Sequence, residues 1–310
     1  MRFGLRRFVK KGRASSTAGV VASSLLFIHE EPDIGHLVPD GAAEMILPLI
    51  RARSPFRAAV LAGGLRRPWF RFIVRTIERM AIPGLMLHHV IRKRFIEDET
   101  RRALAEGASQ VVVLGAGLDT LAFRLHREFP GTMFVELDHP ATQDAKRRIF
   151  GGLTVPSGRN LKLLSADFTR QSADEILAAC PGYDPNARTV LVMEGVLMYL
   201  SPGDVDRAFA AVRRCGGAGS RFVFTFMEIG PDGRPGFSRC RRAGDAWLAW
   251  KGEPFLWGLR PEALSGFLTQ RGFLLIHLPT PGDLRRRYLA NLNRRADLAE
   301  GERIGAAERT

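Results

Sequence analysis

The chain has 310 residues, of which 45% are hydrophobic and 25% are charged, and its formal net charge is +14. This length allows one large domain or one domain with a cap, and charged residues interrupt the apolar runs too often for a transmembrane helix. Three widely spaced cysteines and no secretory signal peptide predict a cytoplasmic protein without a disulfide framework or a metal site.

The positive charge is concentrated near the N-terminus. Residues 1–95 hold 17 Lys and Arg against 6 Asp and Glu, giving +11, whereas residues 96–310 hold 29 against 26, giving +3. A basic region of this kind can contact RNA, an anionic membrane surface or an acidic substrate. Arginine outnumbers lysine 40 to 6, a bias typical of GC-rich genomes. We therefore favour a solvated basic face and expect no dedicated nucleic-acid site.

Residues 1–15 indicate a mobile basic arm, and helical periodicity predicts helices over Ala42–Arg53, 68–80 and 86–106. After residue 109 strands and helices alternate. The predicted strands lie near 110–115, 132–137, 161–166, 188–194, 220–226 and 272–277, and the helices near 118–128, 140–150, 170–180, 203–214 and 261–271. This order predicts an α/β fold with a Rossmann-like, doubly wound, mostly parallel sheet.

The same pattern suggests a division of the chain. Residues 1–108 are expected to form the basic arm and an N-terminal helical cap, and residues 109–310 the α/β core. Residues 230–257 are rich in Gly and Arg and carry Trp247 and Trp250. Because this stretch interrupts the rhythm of strands and helices, we interpret it as a lid.

The most informative motif is VVVLGAGLDT over residues 111–120. A buried strand is followed by Gly115 and Gly117, which allow a sharp turn and close approach of a ligand. In a dinucleotide fingerprint, a small residue occupies the position of Thr120, and the position of Asp119 lies beside the pyrophosphate. The negative side chain of Asp119 would oppose that group, so NAD fits poorly. S-adenosylmethionine has no phosphate and carries a sulfonium cation, so it fits better; a tight turn without a ligand is the alternative.

Acidic residues follow three other predicted strands. Glu136 and Asp138 share one face of the second strand, so either can accept hydrogen bonds from a ribose. Asp167 and Phe168 follow the third strand and can contact adenine, unless Asp167 only caps a helix near residue 169. Glu194 ends a wholly apolar fourth strand, where an unpartnered acid is costly.

These motifs together resemble the leucine carboxyl methyltransferase family, and in particular its bacterial branch of secondary-metabolite O-methyltransferases. The resemblance spans roughly residues 88–228. It is most specific in LGAGLDTLAFR (114–124) and EGVLMYL (194–200), with IRKRFIED (91–98) before the first strand and GERIGAAER (301–309) as a closing strand. It implies a class I methyltransferase fold that uses S-adenosylmethionine.

The resemblance also implies roles for single residues. Arg92 matches the arginine that binds the cofactor's methionine carboxylate, Gly115 and Gly117 shape the cofactor loop, and Asp138 binds the ribose. Asp167 and Phe168 match the adenine contacts, and Glu194 matches an acid near the methionine part. Lys93 departs from the family, where a threonine is common at this position.

The predicted reaction is methyl transfer to the oxygen of a small molecule, with a carboxylate as the first candidate. A carboxylate is ionised at neutral pH and needs no general base, and we assign no catalytic residue. His139, His88 and His89 are ambiguous, and Tyr199 is more typical of helix packing than of an acceptor pocket. RNA methylation, a non-catalytic nucleoside-binding protein and, more distantly, a dehydrogenase are the alternatives. The sequence leaves the oligomeric state open.

Overall fold

A computed structural model describes residues 16–151, 160–168, 170–238, 254–292 and 296–310. In these ranges, a set of helices comes first and alternating strands and helices follow. The first helices are α1 (Ser16–His29), α2 (Ala42–Arg53), α3 (Pro55–Gly64), α4 (Pro68–Ala81) and α5 (Leu85–Ala105). The α/β part runs β1 (Gln110–Leu114), α6 (Leu121–Glu128), β2 (Met133–Asp138), α7 (Pro140–Phe150), β3 (Leu161–Ser165), α8 (Ala173–Ala178), β4 (Thr189–Met193), α9 (Pro202–Arg214), β5 (Arg221–Glu228), β6 (Gly258–Leu259), α10 (Leu264–Thr269), β7 (Phe273–His277), α11 (Pro281–Tyr288) and β8 (Glu302–Arg309).

The strands form one sheet in the order β3-β2-β1-β4-β5-β8-β7, and the short β6 pairs with β5. Strands β1 to β6 are joined in parallel, whereas β8 runs antiparallel to both β5 and β7. The chain order reverses between β1 and β4, which is the position where open α/β sheets bind ligands. The predicted doubly wound, mostly parallel fold is confirmed.

Side chains of the central strands alternate between two hydrophobic cores. Val111 and Val113 of β1 pack with residues of α1, α2 and α5, whereas Val112 and Leu114 pack with residues of α8 and α9 on the other face. Each β1 side chain is almost fully buried. The continuous apolar run of β1 therefore reflects a strand that is covered on both faces.

Two of the differences from the expectations concern α1 and α8. The sequence assigned no element to residues 16–40, yet α1 forms there and buries Leu25 and Phe27 in the core. Helix α8 is shorter than predicted and begins at Ala173, where Ser172 and Glu175 form a capping box. No helix in the described ranges is long and apolar enough to cross a bilayer.

The proposed lid is described only at its two ends. Residues 239–253, which include Trp247 and Trp250, and the basic arm at residues 1–15 lie outside the described residues. On the C-terminal side, the backbone N–H groups of Leu256 and Trp257 both donate to the carbonyl of Met198, at 2.8 and 3.2 Å. This end of the segment therefore lies beside the turn that follows β4.

Candidate active site

The glycine turn after β1 has the geometry that the motif predicts. Gly115 and Gly117 have φ values of +68° and +51°, in the left-handed region that favours glycine. The N–H of Gly115 donates to the carbonyl of Leu137 at 2.8 Å, which ties the turn to β2. A Cβ atom on Gly115 would lie 2.8 Å from Cγ2 of Val196, so a larger residue does not fit this position.

Asp138 lies at the carboxyl end of β2, directly beside this turn. The N–H of Gly117 donates to Oδ2 of Asp138, and the N–H of His139 donates to Oδ1 at 2.5 Å. The carboxylate is only partly buried. His139 itself caps α7, because its Nδ1 accepts from the N–H of Ala141 at 3.3 Å. The structure thus holds the Asp138 carboxylate in a fixed position at the ligand edge of the sheet.

Glu136, the other candidate on β2, has a different environment. Its side chain is fully buried and its Oε2 lies 2.6 Å from Nζ of Lys146, which also donates to the carbonyl of Asp119 at 2.8 Å. Burial raises the pKa of Glu136 to about 7, although Lys146 acts in the opposite direction. Glu136 is therefore enclosed in the protein, and only Asp138 is presented at the edge of the sheet.

Asp167 and Phe168 follow β3 at the same edge. The N–H of Ala166 donates to the carbonyl of Asp138 at 2.7 Å, so the two strand ends are adjacent. The side chain of Asp167 is 40% exposed, and Phe168 packs partly against the second core. Ser172, and not Asp167, caps α8, the next described helix.

A buried ionic network lies where α5 meets the ends of β4 and β8. Arg92 donates through Nε to Oε1 of Glu194 at 2.8 Å and through Nη1 to both carboxylate oxygens of Glu302 at 2.6 Å. Nζ of Lys93 lies 2.6 Å from Oδ2 of Asp119 and 2.8 Å from Oε2 of Glu194. Each of these side chains is at most 12% exposed. The network contains two cations and three carboxylates.

The pairing keeps these groups charged despite their burial. For Asp119 and Glu302, burial favours the neutral acid, but the attraction of Lys93 and Arg92, respectively, lowers the pKa well below its usual range. Burial likewise disfavours the charged form of Lys93, but Asp119 and Glu194 raise its pKa. Counting Arg92 and Lys93 as +1 each and Asp119, Glu194 and Glu302 as −1 each gives the network a formal charge of −1, which favours a cationic ligand.

Glu302 is not among the site residues predicted from the sequence. The family resemblance implies a closing strand at residues 301–309, but the contact with Arg92 joins residues 210 positions apart. His88 also contacts Glu302, with Nε2 3.1 Å from Oε2, and Nδ1 of His89 lies 3.0 Å from Oγ of Ser24. Both histidines are buried. One available signal was the acidic residue itself, which lies just before the apolar and small residues 304–307 of the strand.

Aromatic side chains lie near the ends of β4 and β5. The ring centroid of Tyr199 is 5.7 Å from that of Phe255, which in turn is 6.0 Å from that of Phe237. The hydroxyl of Tyr199 lies 3.5 Å from Oγ1 of Thr17 on α1. All three rings are partly exposed. They form an aromatic cluster that reaches α1 through Tyr199.

Known proteins support the same class of fold. A sequence profile described as leucine carboxyl methyltransferase matches residues 36–213. The chain is 38% identical over 134 residues to a candidate S-adenosyl-L-methionine-dependent methyltransferase from Parafrankia sp. strain EAN1pec, covering 43% of this chain and 42% of that protein. It is 27% identical over 301 residues to another from Mycolicibacterium gilvum, covering 95% and 94%.

The comparison with solved structures concerns the fold alone. The crystal structure of a candidate methyltransferase from Thermobifida fusca YX superposes with a TM-score of 0.55 at 20% identity, covering 87% of this chain and 97% of that chain. The Parafrankia match, by contrast, spans less than half of that relative's length. The shared fold and the matched profile thus agree with the strand order of the sheet.

Proposed function

This chain belongs to the leucine carboxyl methyltransferase family, and from that premise we propose that it is an S-adenosylmethionine-dependent O-methyltransferase acting on a small molecule. A carboxylate is the first candidate acceptor, because the family resemblance points to carboxyl methylation. The observation that carries the proposal is the Asp138 carboxylate, held by the N–H groups of Gly117 and His139 at the carboxyl end of β2, beside the glycine turn that follows β1.

The residues at this edge fit the cofactor in chemistry. Glycine at 115 allows the turn to pack closely against Val196, because a Cβ atom there would lie 2.8 Å from Cγ2 of Val196. The partly exposed carboxylate of Asp138 can accept hydrogen bonds from both ribose hydroxyls. Asp167 and Phe168 are assigned to the adenine amino group and ring face. The cofactor itself supplies a methyl group on a sulfonium.

Arg92 and Glu194 are assigned to the methionine part of the cofactor. A guanidinium suits a carboxylate, and Glu194 suits an ammonium. Glu302 contributes by holding Arg92, since both of its oxygens accept from Nη1. The net negative charge of the network suits the positively charged sulfonium and ammonium groups, which supports this assignment over a pyrophosphate ligand.

The protein's contribution to the reaction is alignment and the exclusion of water. Methyl transfer is an in-line displacement, so its barrier depends mainly on holding the acceptor oxygen close to the methyl carbon. We propose that residues 1–108 form the arm and cap over the core at residues 109–310. In support, a Cβ placed on Gly117 would lie 3.4 Å from Cβ of Ala18 on α1. The rings of Tyr199 and Phe255 favour an acceptor with a flat apolar part.

The first experiment measures cofactor binding. Isothermal titration with S-adenosylhomocysteine is expected to give a one-to-one complex. Asp138→Asn is expected to weaken it by about 10- to 100-fold, the loss typical of hydrogen bonds to a charged group. The matched control is Asp144→Asn, at a surface position on α7 with a 56% exposed side chain. Absence of binding, or equal binding by both variants, contradicts the proposal.

A mass-shift screen then addresses the acceptor. Intact protein and S-adenosylmethionine are incubated with carboxylic acids, phenols and a short RNA, and products gaining one methyl group are identified. Transfer to an acid supports the carboxylate proposal, and transfer only to phenols replaces it with another O-methylation. Transfer only to RNA overturns the small-molecule proposal. Cofactor binding without transfer across the whole panel favours a regulatory nucleoside-binding protein.

A further inference from the structure

Helix α4 carries an exposed apolar stripe. Its apolar residues recur at helical spacing, and their exposure ranges from 47% to 70%: Trp69, Phe72, Ile73, Ile77 and Met80. Phe56 and Val60 on α3, one turn apart, are also exposed, at 80% and 41%. The opposite side of α4 is anchored to the core through the partly buried Phe70 and Val74. Exposed apolar surface of this extent, on one face of a helix, is typical of an interaction site.

The surroundings of the stripe are strongly basic. Residues 51–81 contain eight arginines and a single acid, Glu78. That acid is turned inward, because its Oε1 accepts from the N–H of Met86 at 2.8 Å. Arg71 and Arg75 contact Glu31 on the core side, whereas Arg66, Arg67 and Arg79 are exposed near the two ends of α4. The stripe is therefore flanked by solvated positive charge.

We propose that α3 and α4 form a docking surface for an anionic lipid bilayer, on which α4 lies parallel to the membrane plane. Large aromatic and aliphatic side chains would enter the boundary between headgroups and acyl chains, and the flanking arginines would contact anionic headgroups. An amphipathic helix with a basic polar border and Trp and Phe on its apolar face has the composition of such interfacial helices. Part of the positive charge near the N-terminus would then lie on this docking surface.

Charge complementarity favours an anionic bilayer over a second copy of the chain or a nucleic acid at this surface. A symmetric dimer through α4 would bring two surfaces of the same strong positive charge together. Glu78 would not offset this charge, because it is hydrogen-bonded to Met86. Single-stranded nucleic acid would match the arginines, but it binds by stacking bases on aromatic rings. Trp69 and Phe72 offer such a platform, but Ile73, Ile77 and Met80 are aliphatic and would remain uncovered. A bilayer satisfies both the charge and the aliphatic surface.

The test is co-sedimentation of the full chain with vesicles of phosphatidylcholine containing one quarter phosphatidylserine. We expect binding to these vesicles, weaker binding to pure phosphatidylcholine, and further weakening between about 0.1 M and about 0.5 M NaCl as the charges are screened. The triple variant Trp69→Ser, Phe72→Ser, Ile77→Ser is expected to lower partition on the order of a thousandfold, because each of the three large apolar side chains contributes roughly tenfold.

The matched control is Leu274→Ser, which changes a 54% exposed leucine on β7, outside the stripe. Circular dichroism and thermal unfolding check that each variant is folded, and S-adenosylhomocysteine titration gives an independent readout of the core. Equal binding by the triple variant and the control overturns the proposal. So does the absence of binding to anionic vesicles at low salt. A dimer in sedimentation velocity that the triple variant abolishes, or displacement of vesicles by RNA, assigns the surface to those partners instead.

Discussion

The guanidinium of Arg92 on α5 donates from Nη1 to both oxygens of the Glu302 carboxylate on β8, at 2.6 Å. Both side chains are almost completely buried, at 5% and 2% exposure. The same guanidinium reaches Glu194 at the end of β4. The antiparallel strand β8 thus supports the charged side of the site, although no motif there points to a ligand.

Glu302→Gln is expected to destabilise the protein by roughly 3 kcal/mol, because it leaves part of the charge of Arg92 buried without a counterion. Urea unfolding monitored by circular dichroism measures the change. The matched control is Glu308→Gln on the same strand, whose carboxylate is 35% exposed and lies 3.7 Å from Arg221. Similar losses in both variants would show that the Arg92 contact has no special importance.

Gly115→Ala and Gly182→Ala separate backbone strain from steric conflict. Both glycines have positive φ values, +68° and +84°, so both substitutions should cost about 1–2 kcal/mol in backbone conformation. Only at Gly115 would the new Cβ meet another atom, Cγ2 of Val196 at 2.8 Å. We expect the additional loss of stability, and weaker S-adenosylhomocysteine binding, at residue 115 alone. Equal effects on both measurements are incompatible with a crowded cofactor loop.

The buried acid Glu136 is expected to make stability depend on pH in a direction opposite to most acids. Its pKa is raised from 4.5 to about 7 in the folded chain, so the folded state binds the proton more tightly than the unfolded state. The stabilisation that protonated Glu136 contributes is fully present below pH 4.5 and is lost as the pH rises through 7. The loss reaches about 3 kcal/mol, because each unit of pKa difference corresponds to about 1.4 kcal/mol.

Glu136→Gln tests this dependence, because glutamine imitates the protonated acid beside Lys146. Urea unfolding at several pH values between 5 and 7.5 should show the wild-type chain losing stability relative to the variant as the pH rises. The difference between the two proteins, rather than either curve alone, isolates this group from the others. A difference that is constant with pH contradicts the raised pKa.

Lys93→Met is expected to have its largest effect at neutral pH. The lysine lowers the pKa of Asp119, so its loss leaves two buried carboxylates, Asp119 and Glu194, without this cation. We expect a destabilisation of about 3 kcal/mol at pH 7 that becomes smaller at lower pH, where protonation relieves the unpaired Asp119. Lys162→Met, at a partly exposed position on β3, is the control. An effect that grows on acidification would contradict the assigned pairing.

The sequence by itself determined the parts that depend on local pattern. Continuous apolar runs specify strands covered on both faces, and a glycine turn followed by Asp138 specifies a ligand edge, since alternation and turn geometry act over a few residues. Tertiary structure decided between Glu136 and Asp138, because only the approach of Lys146 from α7 shows which carboxylate is enclosed. Similarly, periodicity indicates that residues 68–80 form a helix, but only the packing of the whole chain shows that its stripe from Trp69 to Met80 remains exposed. Burial and ion pairing depend on contacts between distant segments, and a local sequence pattern does not specify which segments meet.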